Sequence, residues 1–171
     1  STAVDYEPLD AASIELALRS VSNDTAIGVD WLDIWWIKKQ PQFHGPIAEI
    51  LNEVERVGTW PQTMLMNIII LMGKPAGGVR PIALMPMLYR IWIRARKQYL
   101  IEWEGHTHGQ WDAAIRGNSA LLSAIHGAMF DEVYHAIGYD ICTTLWDMEK
   151  FYDNINITKL IGVADDLGYP T

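Results

Sequence analysis

Between Met66 and Leu84 the chain runs Met66-Asn67-Ile68-Ile69-Ile70-Leu71-Met72, breaks at Gly73-Lys74-Pro75-Ala76-Gly77-Gly78, and resumes as Val79-Arg80-Pro81-Ile82-Ala83-Leu84. An apolar run this short, with a β-branched centre and a glycine-bearing break behind it, predicts a buried strand, a loop and a returning strand. The expected unit is a β-hairpin over about residues 66–84. Pro81 has no N–H to give to a ladder, so its strand is expected at an edge or kinked there.

Helical patterns surround this hairpin. Ile14, Leu16, Leu18 and Val21 space a short amphipathic helix from Ala11 to Val21, ending near Ser22-Asn23-Asp24. A second is predicted from about Asp30, through Trp31, Ile34, Trp35 and Ile37, stopping before Pro41. Pro46 is expected to open a third, with Ile47, Ile50, Leu51 and Val54 inward. Past the hairpin, Pro86 starts a predicted long helix to about Trp103. Asn118-Ser119 caps another from Ala120 to about Ile137, and Asn156-Ile157-Thr158 leads into a last one closed by Gly168 and Pro170. Ile141 to Trp146 reads as a further strand running into Asp147. The expected class is α+β.

With 171 residues, half of them apolar, the chain can bury one core, and two independent domains would each be small. Cys142 is the sole cysteine, which excludes an internal disulfide and a thiolate metal cluster and suits a reducing compartment. No apolar run is long enough to span a bilayer and the first residues lack the pattern of a secretory signal, so the sequence predicts no membrane partner and an intracellular, cytoplasmic or nuclear protein.

The net charge of −8 argues against nucleic acid until the distribution is read, because phosphate binding is supplied by Lys and Arg. From Arg56 to Ile101 there is no Asp or Glu, and Arg56, Lys74, Arg80, Arg90, Arg94, Arg96 and Lys97 supply seven of the thirteen cations. This block is either a binding surface or a solvated basic helix face, since Arg90, Arg94 and Lys97 recur at helical spacing.

Asp147, at the end of its predicted strand, is well placed to hold a divalent cation, although strand-end aspartates also serve as caps and turns. Its surroundings are Asp147-Met148-Glu149-Lys150-Phe151-Tyr152-Asp153. Together with Gly58-Thr59-Trp60-Pro61, Lys74-Pro75-Ala76-Gly77-Gly78 and Arg80-Pro81-Ile82-Ala83-Leu84-Met85-Pro86-Met87-Leu88-Tyr89-Arg90, this block resembles the reverse transcriptases. The likeness is above all to those of non-LTR retrotransposons and group II introns, whose patterns K-P-G-G, R-P-I-x-L and D-x-E-K-A-F-D follow in the same order. Looser matches lie at Ala26-Ile27-Gly28-Val29-Asp30-Trp31 and at Gln110 to Ser119, where Arg116-Gly117-Asn118-Ser119 lacks the usual preceding Gly-Phe.

The resemblance implies the fingers of a right-hand polymerase over residues 1–140, with a helical N-terminal part, the β-hairpin and long helices, and the first strand of an incomplete palm over 141–171. It makes Asp147 the catalytic residue and metal ligand, for Mg²⁺ or Mn²⁺. Lys74 and Arg80 would hold the phosphates of an incoming dNTP, while Tyr152 would exclude a ribose 2′-hydroxyl. Arg90, Arg94 and Arg116 are candidate contacts to an RNA template and DNA primer. Two-metal transfer needs a further carboxylate, which in the family comes from a later Asp-Asp motif. Val163-Ala164-Asp165-Asp166 lacks the aromatic residue of that motif and follows a helical pattern. The chain is therefore expected to be a fragment of an RNA-directed DNA polymerase, inactive alone, whose partners include the remainder of the palm and thumb. Its cut palm edge is expected to favour association. A non-catalytic nucleic-acid-binding module derived from such an enzyme, or a fragment of an RNA-dependent RNA polymerase, are the alternatives, the latter because Asp153 suits ribose recognition. His106 and His108 are expected to be solvated, the methionines at 64, 66, 72, 85 and 87 to pack in the core, and Trp60 and Trp92 to fill the fingers core.

Overall fold

The computed structural model describes residues 6–109, 112, 113, 115, 117–144 and 152–169. Among them are seven helices and one antiparallel two-stranded sheet, an α+β arrangement. One compact unit ends at Gln98 and a second begins at Tyr99.

The first unit holds the core. Helix α1 (Ala11–Arg19) starts at Asp10, whose carboxylate accepts from the Ser13 N–H at 2.8 Å, and buries Ile14, Ala17 and Leu18. Helix α2 (Ile34–Lys38) is shorter than its apolar spacing suggests. Its cap is Asp33, and Trp31 before it sits in the left-handed region at φ 55°, which stops a helix from beginning at Asp30. Helix α3 (His44–Val57) begins two residues ahead of Pro46 and ends at Gly58, whose φ of 71° makes it the left-handed stop. Helix α4 (Met87–Ala95) follows Pro86 and buries Met87, Leu88 and Ile91 against α1, Ile34 and Leu51.

Polar contacts between distant segments fix this packing. The Asn52 side chain accepts from the Leu9 N–H and donates to the Leu9 carbonyl, both at 2.8 Å. Asp30 accepts from the Leu88 N–H at 3.0 Å, so it caps α4 from outside the helix. Gly28 must be a glycine for this approach, because a Cβ there would lie 2.5 Å from the Met85 carbonyl oxygen.

The hairpin is present, formed by strands β1 (Ile68–Gly73) and β2 (Val79–Leu84) with Ile68 opposite Leu84 and Gly73 opposite Val79. β1 is not the buried strand its apolar run predicts. All six of its residues are exposed. Nothing in the run records what lies against it, and a two-stranded ribbon has two faces to cover. Of the five methionines assigned to the core, Met87 is buried, whereas Met66 and Met72 are more than half exposed on or beside the same strand.

The helix predicted from Pro86 to Trp103 ends at Ala95 and a separate one, α5, covers Lys97–Thr107. Neither Pro nor Gly marks the interruption. It falls at Arg96, whose guanidinium is held in a bidentate pair by Glu55, with Nε at 2.7 Å, and donates to the Glu7 carbonyl at 2.9 Å.

In the second unit, α6 (Ala120–Ala136) is capped by Ser119, and α7 (Ile157–Asp166) by Asn156, as their sequences predict. Trp103 packs edge-on to Tyr169 and donates its indole N–H to the Leu167 carbonyl at 2.9 Å. None of the described residues from Tyr99 onward is buried. Residues 141–144 are not in a strand, so the described part of the expected palm strand is irregular. No helix among the described residues is long and apolar enough to cross a membrane.

Candidate functional site

The local geometry of the hairpin follows from its turn residues. Lys74 donates its N–H to the Gly78 carbonyl at 3.0 Å, and Gly77 donates to the Lys74 carbonyl at 3.0 Å. Pro75 supplies the fixed φ of the first turn position, and Gly77, at φ 90°, takes the left-handed place that closes a three-residue loop. Lys74 opposite Gly78 continues the strand register, so by alternation its side chain shares a face with Met72, and therefore with Arg80, which pairs with Met72. Lys74 and Arg80 are diagonal neighbours at roughly 7–8 Å in such a ladder. Both are exposed, and neither side chain has a hydrogen bond or ion pair among the described residues.

Four of the other five cations of the acid-free block are committed within the fold, and the fifth, Lys97, is exposed with no side-chain partner among the described residues. Arg56 pairs with Glu53 on α3. Arg96 pairs with Glu55, with side chains only 10% and 20% exposed. Arg90 donates to the Ala26 carbonyl at 2.8 Å, and Arg94 to the Ser20 carbonyl at 3.1 Å and the Ser20 hydroxyl at 3.2 Å. Burial pulls the Arg90 guanidinium below its usual range; the Asp30 carboxylate opposes this and Arg94 adds to it. The cations next to one another in sequence therefore do not make one continuous basic surface. The signal that would have revealed this is the acidic run on α3, Glu53 and Glu55, immediately before the block.

Glu55 is the residue that sequence reasoning missed. It accepts from the Trp92 indole at 2.6 Å as well as from Arg96. Burial pushes its carboxyl upward, but the bonds from Arg96 and Trp92 and the Arg96 charge together outweigh that effect and hold it below its ordinary range. Trp92 in turn joins Trp60 and Tyr89 in a cluster with ring centroids 5.3–5.7 Å apart. These rings, with Met64, Asn67 and Met85, line an open pocket of about 350 Å³ at the foot of the hairpin. Trp60 and Trp92 pack against the core, in keeping with the structural role expected of them.

No family model, curated protein or solved structure matches this chain. Its own residues are what define the site.

Asp147 and Arg116 lie outside the described residues, as do Glu149 and Lys150. Tyr152 opens a 3-10 turn, Tyr152–Asn154, in the second unit and is 85% exposed. Asp165 and Asp166 end α7 and are not in a hairpin. His106 and His108 are exposed, each ring Nδ1 within 2.7 Å of a backbone carbonyl one helical turn earlier. Among the described residues no three His, Cys, Asp or Glu side chains gather as a metal site.

Proposed function

We propose that this chain is the fingers and the beginning of the palm of an RNA-directed DNA polymerase of the retroelement type, and that its hairpin holds the triphosphate of an incoming dNTP. The observation that carries the reading is the pair Lys74 and Arg80. They are two cations on one face of a glycine-closed hairpin, with no side-chain partner among the described residues, in a block whose other arginines are all occupied. The order of the motifs supports it, with Lys74-Pro75-Ala76-Gly77-Gly78 and Arg80-Pro81-Ile82-Ala83-Leu84 ahead of Asp147-Met148-Glu149-Lys150-Phe151-Tyr152-Asp153.

The proposed chemistry assigns simple tasks. Phosphoryl transfer is catalysed mainly by positioning and charge neutralisation. Arg80 presents a planar fork suited to two phosphate oxygens, and Lys74 a mobile point charge. Asp147 would hold Mg²⁺ or Mn²⁺, which, when bound, neutralises the phosphates and orients them for attack. Tyr152 would lie against the sugar and disfavour a 2′-hydroxyl. One motif carboxylate is insufficient for two metals, so the chain alone is expected to bind nucleotide without incorporating it.

Fluorescence anisotropy with a labelled dNTP and Mg²⁺ tests this reading. Lys74→Ala and Arg80→Ala are each expected to weaken binding by about tenfold or more, the worth of a charge-assisted hydrogen bond. Asp147→Asn is expected to abolish the Mg²⁺ dependence. Wild-type chain that does not bind, or binding indifferent to both hairpin substitutions, would refute the assignment.

A further inference from the structure

The two edges of the hairpin are not equivalent. Lys74 and Gly78 share a hydrogen bond in register, so the residues of β1 with the same parity, 68, 70 and 72, bond inward to β2. Ile69, Leu71 and Gly73 therefore turn their N–H and C=O groups outward. On β2 the outward positions are Val79, Pro81 and Ala83, and Pro81 removes the central donor. The outer edge of β2 is interrupted and carries Arg80 beside it. That of β1 is continuous, uncharged and exposed, with Ile69 at 56% and Leu71 at 63%, and it has no backbone partner among the described residues.

We propose that the outer edge of β1 is a pairing surface for a second copy of this chain, joined antiparallel about a two-fold axis at Leu71. A two-stranded ribbon is marginal by itself, and a third strand is the ordinary remedy. The edge is complementary to itself. With Leu71 opposite its own equivalent, Ile69 meets Gly73 of the other copy, and each of the three pairs exchanges two backbone hydrogen bonds. Ile70 falls opposite Met72, so apolar side chains meet on both faces of the new sheet. Lys74 falls opposite Ile68 of the other copy, so the two lysines lie at opposite ends of the joint and do not face one another. An extended peptide of another protein would find no charged or polar side chain between Ile68 and Gly73 to specify it. The result is a four-stranded sheet in the order β2-β1-β1-β2, with the Pro81 edges outermost, where proline blocks further growth.

Light scattering on the purified chain over a dilution series is the first test, with a monomer–dimer equilibrium expected. Leu71→Lys puts like charges opposite each other at the axis, and Leu71→Pro removes an outward N–H without removing a β1–β2 bond; each is expected to weaken association roughly tenfold or more. Amide exchange is the second measurement. Ile69, Leu71 and Gly73 should be protected only in the dimer, and Ile70 and Met72 in wild type and Leu71→Lys alike, which also shows that the hairpin still folds. A wild-type chain that stays monomeric, or a dimer that survives both substitutions with those three amides exchanging freely, would overturn the proposal.

Discussion

Asp30 joins two parts of the chain that neither helix pattern connects. One of its carboxylate oxygens caps α4 through the Leu88 N–H, and the other is buried without a hydrogen bond, as is Nε of Arg90, the guanidinium whose charge Asp30 balances. Removing the carboxylate takes away a helix cap and leaves a partly buried cation uncompensated. Asp30→Ala is therefore expected to lower the unfolding free energy by about 1–2 kcal/mol in chemical denaturation. Asp30→Asn keeps an acceptor for Leu88 and should cost less. The loop sequence Gly28-Val29-Asp30 shows a glycine and an acid two residues apart, but not their target. That Gly28 lies against the Met85 carbonyl is visible only once α4 has been placed.

Glu55 of α3 and Arg96, the residue that follows α4, form a charge pair whose pH dependence can be given a sign. Glu55 is held below its ordinary value in the fold, so its contribution is fully present above the unfolded value of about 4.5 and is lost as pH falls from there through the folded value. Glu55→Gln should flatten that part of the acid limb of the stability profile and lower stability at neutral pH, where the wild-type pair is intact. Urea titrations of both proteins from neutral to acidic pH measure it. The elements themselves were largely legible. Ser119 and Asn156 announce their helices, and Pro75 with Gly77 announces the turn, because caps and turns are chosen by chemistry within a few residues. What the sequence concealed was set by partners far along the chain: the break at Arg96, the occupation of Arg56 and Arg96 by α3, and the exposure of β1, whose apolar run fits either a buried strand or an open ribbon.

At the scale of the molecule, most of the positive charge that the block from Arg56 to Lys97 displays in sequence is engaged internally, and the net charge is −8. Binding to an RNA–DNA duplex should thus rest on few cations. The slope of log affinity against log salt is expected to be shallow and to flatten further in a Lys74→Ala/Arg80→Ala chain, by roughly one unit for each phosphate that is no longer neutralised. A steep slope untouched by that double substitution would place the phosphate-binding cations elsewhere. The candidate site was legible only in part. The hairpin that carries Lys74 and Arg80 was visible from its apolar run and turn residues, but their role, like that of Asp147 and Arg116, rests on motif resemblance, and the latter two lie outside the described residues. The grip of Arg96 on the Glu7 carbonyl and on Glu55 also sets a timetable for synthesis. Helices α1 to α3 are translated by Val57 with Asn52 already in reach of Leu9, yet the Arg96 side chain that adds a second tie between their far ends comes about forty residues later. At about 5–20 residues per second, the first helices wait roughly two to eight seconds for their latch.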